Sequence, residues 1–478
     1  MTILPELILA SGGMALLVLP FLRSARLLGL IALLLLAAAA DLRLFQSFRP
    51  GPSAAFSGML VLDRFSDFFQ MAILASAGLV VLSAMGYGRE EVRARREFYS
   101  LLLFTTAGLL LVVRAQHLAL IYLGLELVSV LSYLMVGFRK KDPLSIEAAL
   151  KYFLFGAIST GGMLYGISLI YGLTGRLDLG ALALLPERMA AAPGVGLAAL
   201  LLLTAGLGFK LALVPFHMWA PDAYEGAPTP VASFISLGPK LAGFALLARL
   251  FLVSLPTATS WPLLLGGAAV LSMTIGNMAA LAQTNVKRLL AYSSIAHAGT
   301  MAVGIAVATP FGLAAVMYYL LAYLLMNGAA FMGVIAVANA AGREEIGAFA
   351  GLSRREPALA FMITVAFLSL AGIPPLAGFF GKMWIFGSAL KAGAVGLAVV
   401  AALNSVVALF YYARVIQAMY LEPAAASARL PRSRSLRLGL ALCTLGLFLL
   451  GLWQGPWLDL TARSLPVAAK AGDLPWLR

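Results

Sequence analysis

Three lysine residues lie inside stretches of the sequence that are otherwise apolar enough to cross a membrane: Lys210, Lys240 and Lys382. A charged side chain in the hydrocarbon core costs roughly 3 kcal/mol or more, so such residues usually face a bundle interior and mark an ion or proton path. Lysine suits proton transfer because a desolvated ammonium can release its proton, whereas arginine keeps its proton near neutral pH. These positions therefore indicate proton transfer within a membrane.

A single carboxylate, Glu126, lies near the middle of the apolar stretch AQHLALIYLGLELVSVLSYLMVGF. We expect Lys210 to be its partner, because opposite charges favour each other's ionised form in a low-dielectric interior. Separation of the two groups would then favour release of the lysine proton. The alternative is a permanent ion pair that joins two helices. Lys240 and Lys382 have no carboxylate in their own stretches and suit the role of proton acceptors, although Lys382 would also fit an ammonium that reaches the membrane surface.

Three further basic residues are candidate proton relays: Lys151, His217 and His297. Lys151 follows Glu147 by four residues in IEAALKYFLFG, so it is equally consistent with a proton entry group and with a plain interfacial ion pair. Imidazole titrates near neutral pH, which suits both histidines to proton transfer. The alternative for each histidine is a buried ring held by neighbouring hydroxyl groups.

The remaining carboxylates of interest lie next to the apolar stretches. Asp222 and Glu225 occur in PDAYEGAPTP, where three prolines explain the segment as a rigid re-entry into the next helix. Asp63 and Asp67, with Arg64, precede or begin another apolar stretch. We interpret these three as interfacial residues.

The composition fixes the class of protein that must hold these side chains. Of the 478 residues, 62% are hydrophobic and 11% are charged, and the mean hydropathy is +0.96, as in polytopic membrane proteins. The net charge of +14 comes from basic residues in short loops between apolar stretches, which is a membrane pattern and does not indicate nucleic-acid binding. The single cysteine excludes a disulfide framework and a cysteine-ligated iron–sulfur cluster within the chain, and the three histidines lack metal-binding spacing.

About 20 residues are needed for each membrane span, which predicts about fourteen helices in an all-α fold. The N-terminal stretch has no basic residues ahead of it, so we interpret it as the first span and not as a cleaved signal peptide. Lys and Arg are more frequent in the loops that follow odd-numbered spans, which predicts these loops on the cytoplasmic side and both termini outside. The predicted spans cover residues 3–21, 26–45, 58–85, 98–113, 115–138, 145–172, 195–214, 229–252, 262–282, 288–308, 311–339, 358–387, 394–420 and 436–457.

Two of the predicted spans contain prolines that should break the helix. Pro215 follows Lys210 in span 7, whereas Pro374 and Pro375 precede Lys382 in span 12. Spans 4–8 and 9–13 then form two five-helix units with a broken fourth helix in each, as in an inverted repeat with an ion site at the midplane. The predicted organisation is an N-terminal three-helix segment (1–97), a first repeat (98–252), a second repeat (262–420), and a C-terminal helix with a tail (421–478).

These segments together resemble the antiporter-like, proton-pumping subunits of respiratory complex I, and most closely the subunit N (NuoN) family. The most specific text is GFKLALVPFHMWAPDAYEGAPTPVASFIS at 208–236. Four other segments support the resemblance, and they occur along the chain in the order expected for the family: GLELVSVLSYLMVGF, EAALKYFLFGAISTGGMLYGISLIYGLTG, NVKRLLAYSSIAHAG and AGIPPLAGFFGK. The resemblance covers residues 98–420.

The resemblance implies a fourteen-helix subunit with two inverted five-helix repeats, in which a central axis of charged residues moves protons while redox chemistry occurs in other subunits. Carried over by motif, Glu126 is the carboxylate of helix 5, Lys210 its partner in helix 7, Lys240 the connecting lysine of helix 8, and Lys382 the lysine of the outer half-channel. Subunit M is expected to have glutamate in place of Lys382. Subunit L is expected to have a long lateral C-terminal helix.

The same resemblance implies the rest of the assembly. The chain is expected to be a non-redox subunit of an NADH-quinone oxidoreductase, with NAD, FMN, iron–sulfur clusters and quinone in partner subunits and no cofactor of its own. Its expected neighbours are subunit M, a small subunit K and lipids, without nucleic acid. The expected location is the bacterial inner membrane, with both termini on the periplasmic side.

Two other functions remain open from the sequence. A subunit of a multi-subunit Na+/H+ antiporter would also have lysines in spans 7 and 12. Copurification of this chain with small membrane subunits alone would indicate the antiporter, whereas copurification with peripheral redox subunits would indicate complex I. A structural membrane subunit that conducts no ions would tolerate apolar residues in place of the interior lysines.

Overall fold

The computed structural model describes residues 3–19, 24–48, 52–89, 92, 95–255, 261–423 and 433–466. Among them, eleven helices are long and apolar enough to cross a membrane, and two shorter apolar helices join them. Each of the fourteen predicted spans corresponds to a helix or to a pair of half-helices. The predicted polytopic helical fold is therefore confirmed. The tail from 467 onwards and parts of two loops rich in arginine, including Arg93 and residues 429–432, lie outside the described residues.

The described part of the N-terminal segment contains three helices and one small sheet. They are α1 (Leu4–Val18), α2 (Ala25–Ser47), the strands β1 (Ser53–Ala55) and β2 (Leu60–Leu62), and α3 (Arg64–Met85). The strands pair antiparallel, with Ser53 opposite Leu62.

The first five-span unit begins with α4 and ends with α10. Its elements are α4 (Arg96–Val112), α5 (Leu118–Val136), α6 (Pro143–Thr174), the short α7 (Gly180–Ala191), the half-helices α8 (Pro193–Leu211) and α9 (Trp219–Gly226), and α10 (Thr229–Leu247), which continues as a π-helical turn (Ala248–Ser254).

The second unit repeats this order and two helices follow it. Its elements are α11 (Trp261–Leu281), α12 (Val286–Ala306), α13 (Pro310–Ala341), a 3-10 turn (Ile346–Phe349), the one-turn α14 (Leu352–Arg355), the half-helices α15 (Pro357–Ala371) and α16 (Ala377–Lys391), and α17 (Val395–Leu421). The C-terminal part contains α18 (Arg434–Leu452) and α19 (Gly455–Arg463).

The third span has the same design in both units. Both α6 and α13 are 32 residues long and begin with proline, which has no N–H to lose at that position. Each ends at a glycine with positive φ, Gly175 at 69° and Gly342 at 70°, where a side chain would be disfavoured. The matching helix ends support two units of one architecture.

One predicted boundary is wrong. The helix expected from residue 58 begins at Arg64, because Asp63 and Ser66 form reciprocal side-chain-to-backbone hydrogen bonds that fix the helix start. The apolar residues Leu60 and Leu62 before it belong to β2, so the fold is not entirely helical.

Two of the functional candidates, Lys240 and His297, lie on the most enclosed helices. Every residue of α10 is buried, and α12 and α13 are buried over most of their length, whereas α2, α6 and α17 are peripheral. Since α10 carries Lys240 and α12 carries His297, both side chains are enclosed by other helices and do not face lipid.

Candidate functional site

The break in the first unit positions Lys210. Helix α8 ends at Leu211, and Ala212 adopts a left-handed conformation with φ of 56°. The carbonyl oxygen of Phe209 near this end accepts a hydrogen bond from Trp219 Nε1 at 3.0 Å. Lys210, which is 3% exposed, reaches across to α5 and donates to Ser129 Oγ at 2.8 Å.

Glu126 lies one turn before Ser129 on α5. It interacts electrostatically with Lys210, but among the described residues the two groups do not form a direct ion pair within 4.0 Å. Its Oε2 atom is buried and has no hydrogen-bond partner in the described part of the chain. The ammonium is therefore shared between the charge of Glu126 and the hydroxyl of Ser129, which is a looser arrangement than the predicted pair.

Lys240 lies near the middle of α10 and is 1% exposed. Its Nζ atom donates to the carbonyl oxygen of Ser294 on α12 at 2.5 Å. The hydroxyl of Ser294 is 3.2 Å from the hydroxyl of Tyr224 on α9. Lys240 therefore joins the centre of the second unit to the half-helix that follows the first break.

The aliphatic part of Lys210 approaches the helix that carries Lys240. A side chain at Gly243, one turn from Lys240, would meet Leu211 and would lie 4.0 Å from Lys210 Cγ. The absence of a side chain at Gly243 thus allows the end of α8 to pack closely on α10.

His297 is hydrogen-bonded through both ring nitrogens. Nδ1 lies 2.7 Å from the hydroxyl of Tyr319 on α13, and Nε2 lies 3.1 Å from the hydroxyl of Tyr412 on α17. Tyr412 also contacts the hydroxyl of Ser293, the neighbour of Ser294. The ring is therefore part of a hydroxyl–imidazole chain that begins beside the contact of Lys240.

The break in the second unit positions Lys382. Helix α15 ends before Gly372, where φ is 90°, and α16 starts at Ala377. From α16, Lys382 turns back and donates to the carbonyl oxygens of Leu370 at 3.1 Å and Ala371 at 2.9 Å. These carbonyls have lost their helical donors at the break, so the ammonium caps the negative end of α15. Lys382 is 5% exposed, which contradicts the alternative of an ammonium at the membrane surface.

A small cavity joins Lys382 to His297. Its other polar lining residues come from α11, α12 and α17 and are Asn277, Thr300, Asn404, Ser405 and Tyr411. His297 also interacts electrostatically with both Lys382 and Lys240. The residues predicted in the second unit therefore do lie together.

Lys151 belongs to a separate network near the start of α6. Its Nζ atom lies 2.7 Å from Glu147 and 2.8 Å from Asp222, and Arg288 at the start of α12 binds both Asp222 and Glu225. The predicted pair with Glu147 is confirmed. Asp222 and Glu225, which the prolines explain mainly as part of a rigid turn, form ion pairs that hold the two units together at the predicted inner side.

His217 follows the first break and is 8% exposed. Its Nδ1 atom is buried and has no side-chain hydrogen-bond partner among the described residues. Hydrogen bonds in the described part of the chain do not connect it to the lysines, unlike His297.

Asp63 and Asp67, which we interpret as interfacial, both form ion pairs. Asp63 pairs with the buried Arg249 at 2.8 Å, and Asp67 pairs with the buried Arg43. Both carboxylates are largely shielded, because α3 packs against α2 and α10. Only Arg64 is exposed.

Sequence reasoning missed Ser129, Tyr319 and Tyr412. The only signal was a polar hydroxyl inside an apolar helix, and such residues commonly bond a local backbone carbonyl or pack as aromatic rings. Groups of three or more potential metal ligands do not occur among the described residues.

Two consecutive five-span units, each with a broken fourth span, define the antiporter-like membrane fold. The family described as NADH:quinone oxidoreductase/Mrp antiporter, transmembrane, matches residues 115–408. The chain belongs to this family, and within it to the subunit N group.

Individual relatives agree with that placement. NADH-quinone oxidoreductase subunit N 2 of Sorangium cellulosum (strain So ce56) is 44% identical over 488 residues, with 96% of each chain covered. A chain in the structure of respiratory complex I from Thermus thermophilus with bound aureothin is 38% identical with a TM-score of 0.80, over 95% of this chain and 99% of that chain. A chain of the Mrp complex from Dietzia sp. DQ12-45-1b has a TM-score of 0.85 at 22% identity over 98% of this chain and 97% of that chain, which is a likeness of fold alone.

Proposed function

We propose that the chain is the proton-translocating subunit N of an NADH-quinone oxidoreductase and moves protons along Glu126, Lys210, Lys240 and Lys382. The observation that carries this proposal is the burial of the three lysine side chains in the interior of the bundle. An enclosed ammonium is costly, and a protein that needed only packing would have apolar side chains there.

The first step in the proposed path is the separation of Glu126 from Lys210. A conformational or electrostatic change in a neighbouring subunit moves the carboxylate away, and the ammonium loses the charge that favours its protonated form. Ser129 then holds Lys210 by a hydrogen bond that persists when the proton has left, because a hydroxyl can also donate to a neutral amine.

The second part of the path runs from Lys240 to Lys382. The hydroxyl–imidazole chain of Ser293, Tyr412, His297 and Tyr319 lies between the two lysines, and each of its groups both donates and accepts. A proton that arrives at Lys240 reaches His297 through these groups and through water. The proton then passes from His297 to Lys382 through the small cavity between them. Lys151 and His217 are proposed as entry groups at the predicted inner side.

The chain carries out no redox step in this proposal. NAD, FMN, iron–sulfur clusters and quinone belong to partner subunits, and quinone reduction there drives the change at Glu126. The proposed neighbours are subunits M and K in the bacterial inner membrane, with both termini of this chain on the periplasmic side.

The test is the Lys210→Ala variant in the assembled complex. We expect the number of protons translocated per electron to fall, while subunit composition stays complete on native gels. The matched control is Lys140→Ala, which removes an exposed lysine from the loop after α5. Normal proton pumping in a fully assembled Lys210→Ala complex would overturn the proposed path.

A further inference from the structure

A large cavity lies between the N-terminal segment and the C-terminal helices, away from the lysines. Its volume is about 780 Å³, and α2, α3, α13, α18 and α19 line it. Several of its apolar residues are also exposed on the surface, including Leu44, Leu449 and Leu460. The cavity is therefore a groove that faces the membrane, and we call it the α3 groove.

The α3 groove has the depth of one membrane leaflet. Along α3 its lining extends from Arg64 at the helix start to Ala75, which is about 16 Å at 1.5 Å per residue. Half of a hydrocarbon core is about 15 Å thick. An acyl chain that enters beside Arg64 therefore ends near the midplane.

A second cavity of about 320 Å³ adjoins the mouth of the α3 groove, and its lining is more polar. The two cavities share four lining residues: Ser47, Arg64, Asp67 and Arg463. A polar compartment next to an apolar one matches a molecule with a polar head and an apolar tail.

The shared mouth carries unbalanced positive charge. Arg64 and Arg463 are exposed and have no ion-pair partner among the described residues, whereas Asp67 already pairs with Arg43. The Nε atom of Arg43, which also lines the groove, is buried without a hydrogen-bond partner in the described part of the chain. Like charges that converge on one cavity favour an anion between them, and arginine binds phosphate through two parallel hydrogen bonds.

We propose that the α3 groove is a binding site for one glycerophospholipid, with its phosphate between Arg64 and Arg463 and an acyl chain along α3. Trp457 of α19 lines the groove close to Arg463, and tryptophan is enriched where headgroups meet hydrocarbon. The lipid ties the N-terminal segment to α13 of the second unit and to α18 of the C-terminal part. This site does not depend on proton transport.

The first test compares lipid retention by the full chain after detergent extraction, measured by native mass spectrometry. We expect the Arg64→Glu/Arg463→Glu double variant to retain about tenfold less phospholipid, since repulsion replaces two charge-assisted hydrogen bonds. The matched control is Arg188→Glu, which reverses another exposed arginine outside the groove. Equal lipid retention by the double variant and the wild type would overturn the proposal.

A second variant tests the apolar compartment without a change of charge. Ala75 is exposed at the deep end of the groove, so Ala75→Trp fills it without displacing the core. We expect a similar loss of phospholipid, whereas Ala402→Trp on the exposed face of α17 retains it. Unchanged retention in Ala75→Trp would overturn the proposal. A helix of a neighbouring subunit or a quinone in the groove of the assembled complex would overturn it as well.

Discussion

The break after α8 and the break after α15 begin with the same main-chain turn. In the first, the amide of Leu213 donates to the carbonyl of Gly208 at 2.8 Å, and in the second the amide of Ile373 donates to Leu368 at 3.0 Å. Each turn passes through one residue with positive φ, Ala212 or Gly372. Both breaks therefore expose carbonyls at the end of a half-helix in the interior of the bundle.

The two breaks differ in the side chain that donates to the main chain. In the first, Trp219 donates to Phe209, whose carbonyl also accepts from the amide of Ala212. In the second, Lys382 donates to Leu370 and Ala371. Lys210 does not cap a main-chain carbonyl among the described residues and instead donates to the side chain of Ser129. Lys382 thus combines a capping contact with a proposed proton-carrying role, whereas in the first unit Trp219 makes the main-chain contact and Lys210 is the proposed carrier.

Lys382→Arg separates the two roles and has the largest expected effect. Arginine retains donors for Leu370 and Ala371 but does not release its proton near neutral pH. We expect the complex to assemble with wild-type thermal stability and to lose proton translocation through this subunit by tenfold or more, roughly the effect of a lost proton carrier. The measurement is acidification by reconstituted vesicles per electron transferred.

The controls for this prediction are Lys210→Arg and Lys140→Arg. Lys210→Arg removes a proposed proton carrier that has no capping role, and we expect the same loss of translocation. Lys140→Arg changes an exposed loop lysine and leaves translocation unchanged. Wild-type translocation by Lys382→Arg would mean that Lys382 is only a cap.

Trp219→Phe tests the capping role in the first break. It keeps the ring that stacks on Tyr152 at 4.1 Å but removes one of the two donors to the carbonyl of Phe209, which keeps the amide of Ala212, and a lost hydrogen bond costs about 0.5–1.5 kcal/mol. We expect lower thermal stability with proton translocation retained. Trp261→Phe is the matched control, because the buried Nε1 of Trp261 has no hydrogen-bond partner among the described residues. Equal stability of the two variants would contradict the assignment of Trp219.

These differences show where the sequence is informative. The spans were predictable because hydrocarbon requires long apolar runs, and the buried charges stand out because they are rare in such runs. The capping contacts could not be predicted from the sequence, because the carbonyls that a break exposes depend on the residue at which the half-helix ends. The sequence wrongly predicts a helix over residues 58–62, because the apolar residues of β2 run directly into the apolar sequence of α3. The tyrosines beside His297 were missed because tyrosine is also common as a packing residue.

Ser129→Ala tests whether Lys210 needs its hydroxyl partner. Without it, the ammonium depends on Glu126 alone, and a lost hydrogen bond of about 1 kcal/mol corresponds to roughly a fivefold change. We expect translocation to fall by that factor, less than in Lys210→Ala. Ser159→Ala is the control, because both serines donate to the carbonyl four residues earlier, but the bond of Ser129 is buried and that of Ser159 is exposed. A complete loss of translocation in Ser129→Ala would instead make the hydroxyl an obligatory proton carrier.

Ala212→Gly addresses the smallest difference between the breaks. Ala212 holds φ of 56°, where a side chain costs about 1 kcal/mol, whereas the second break has glycine in the equivalent place. Glycine also loses more chain entropy on folding, so we expect a net gain of less than about 1 kcal/mol in thermal stability. The control is Ala402→Gly on the exposed face of α17, where the same substitution in a regular helix should lower stability by about 0.5–1 kcal/mol. If the two substitutions change thermal stability in opposite directions, the conformation of the turn sets the effect, and not the loss of a methyl group. If both lower thermal stability, the packing of the Ala212 methyl group outweighs its backbone strain.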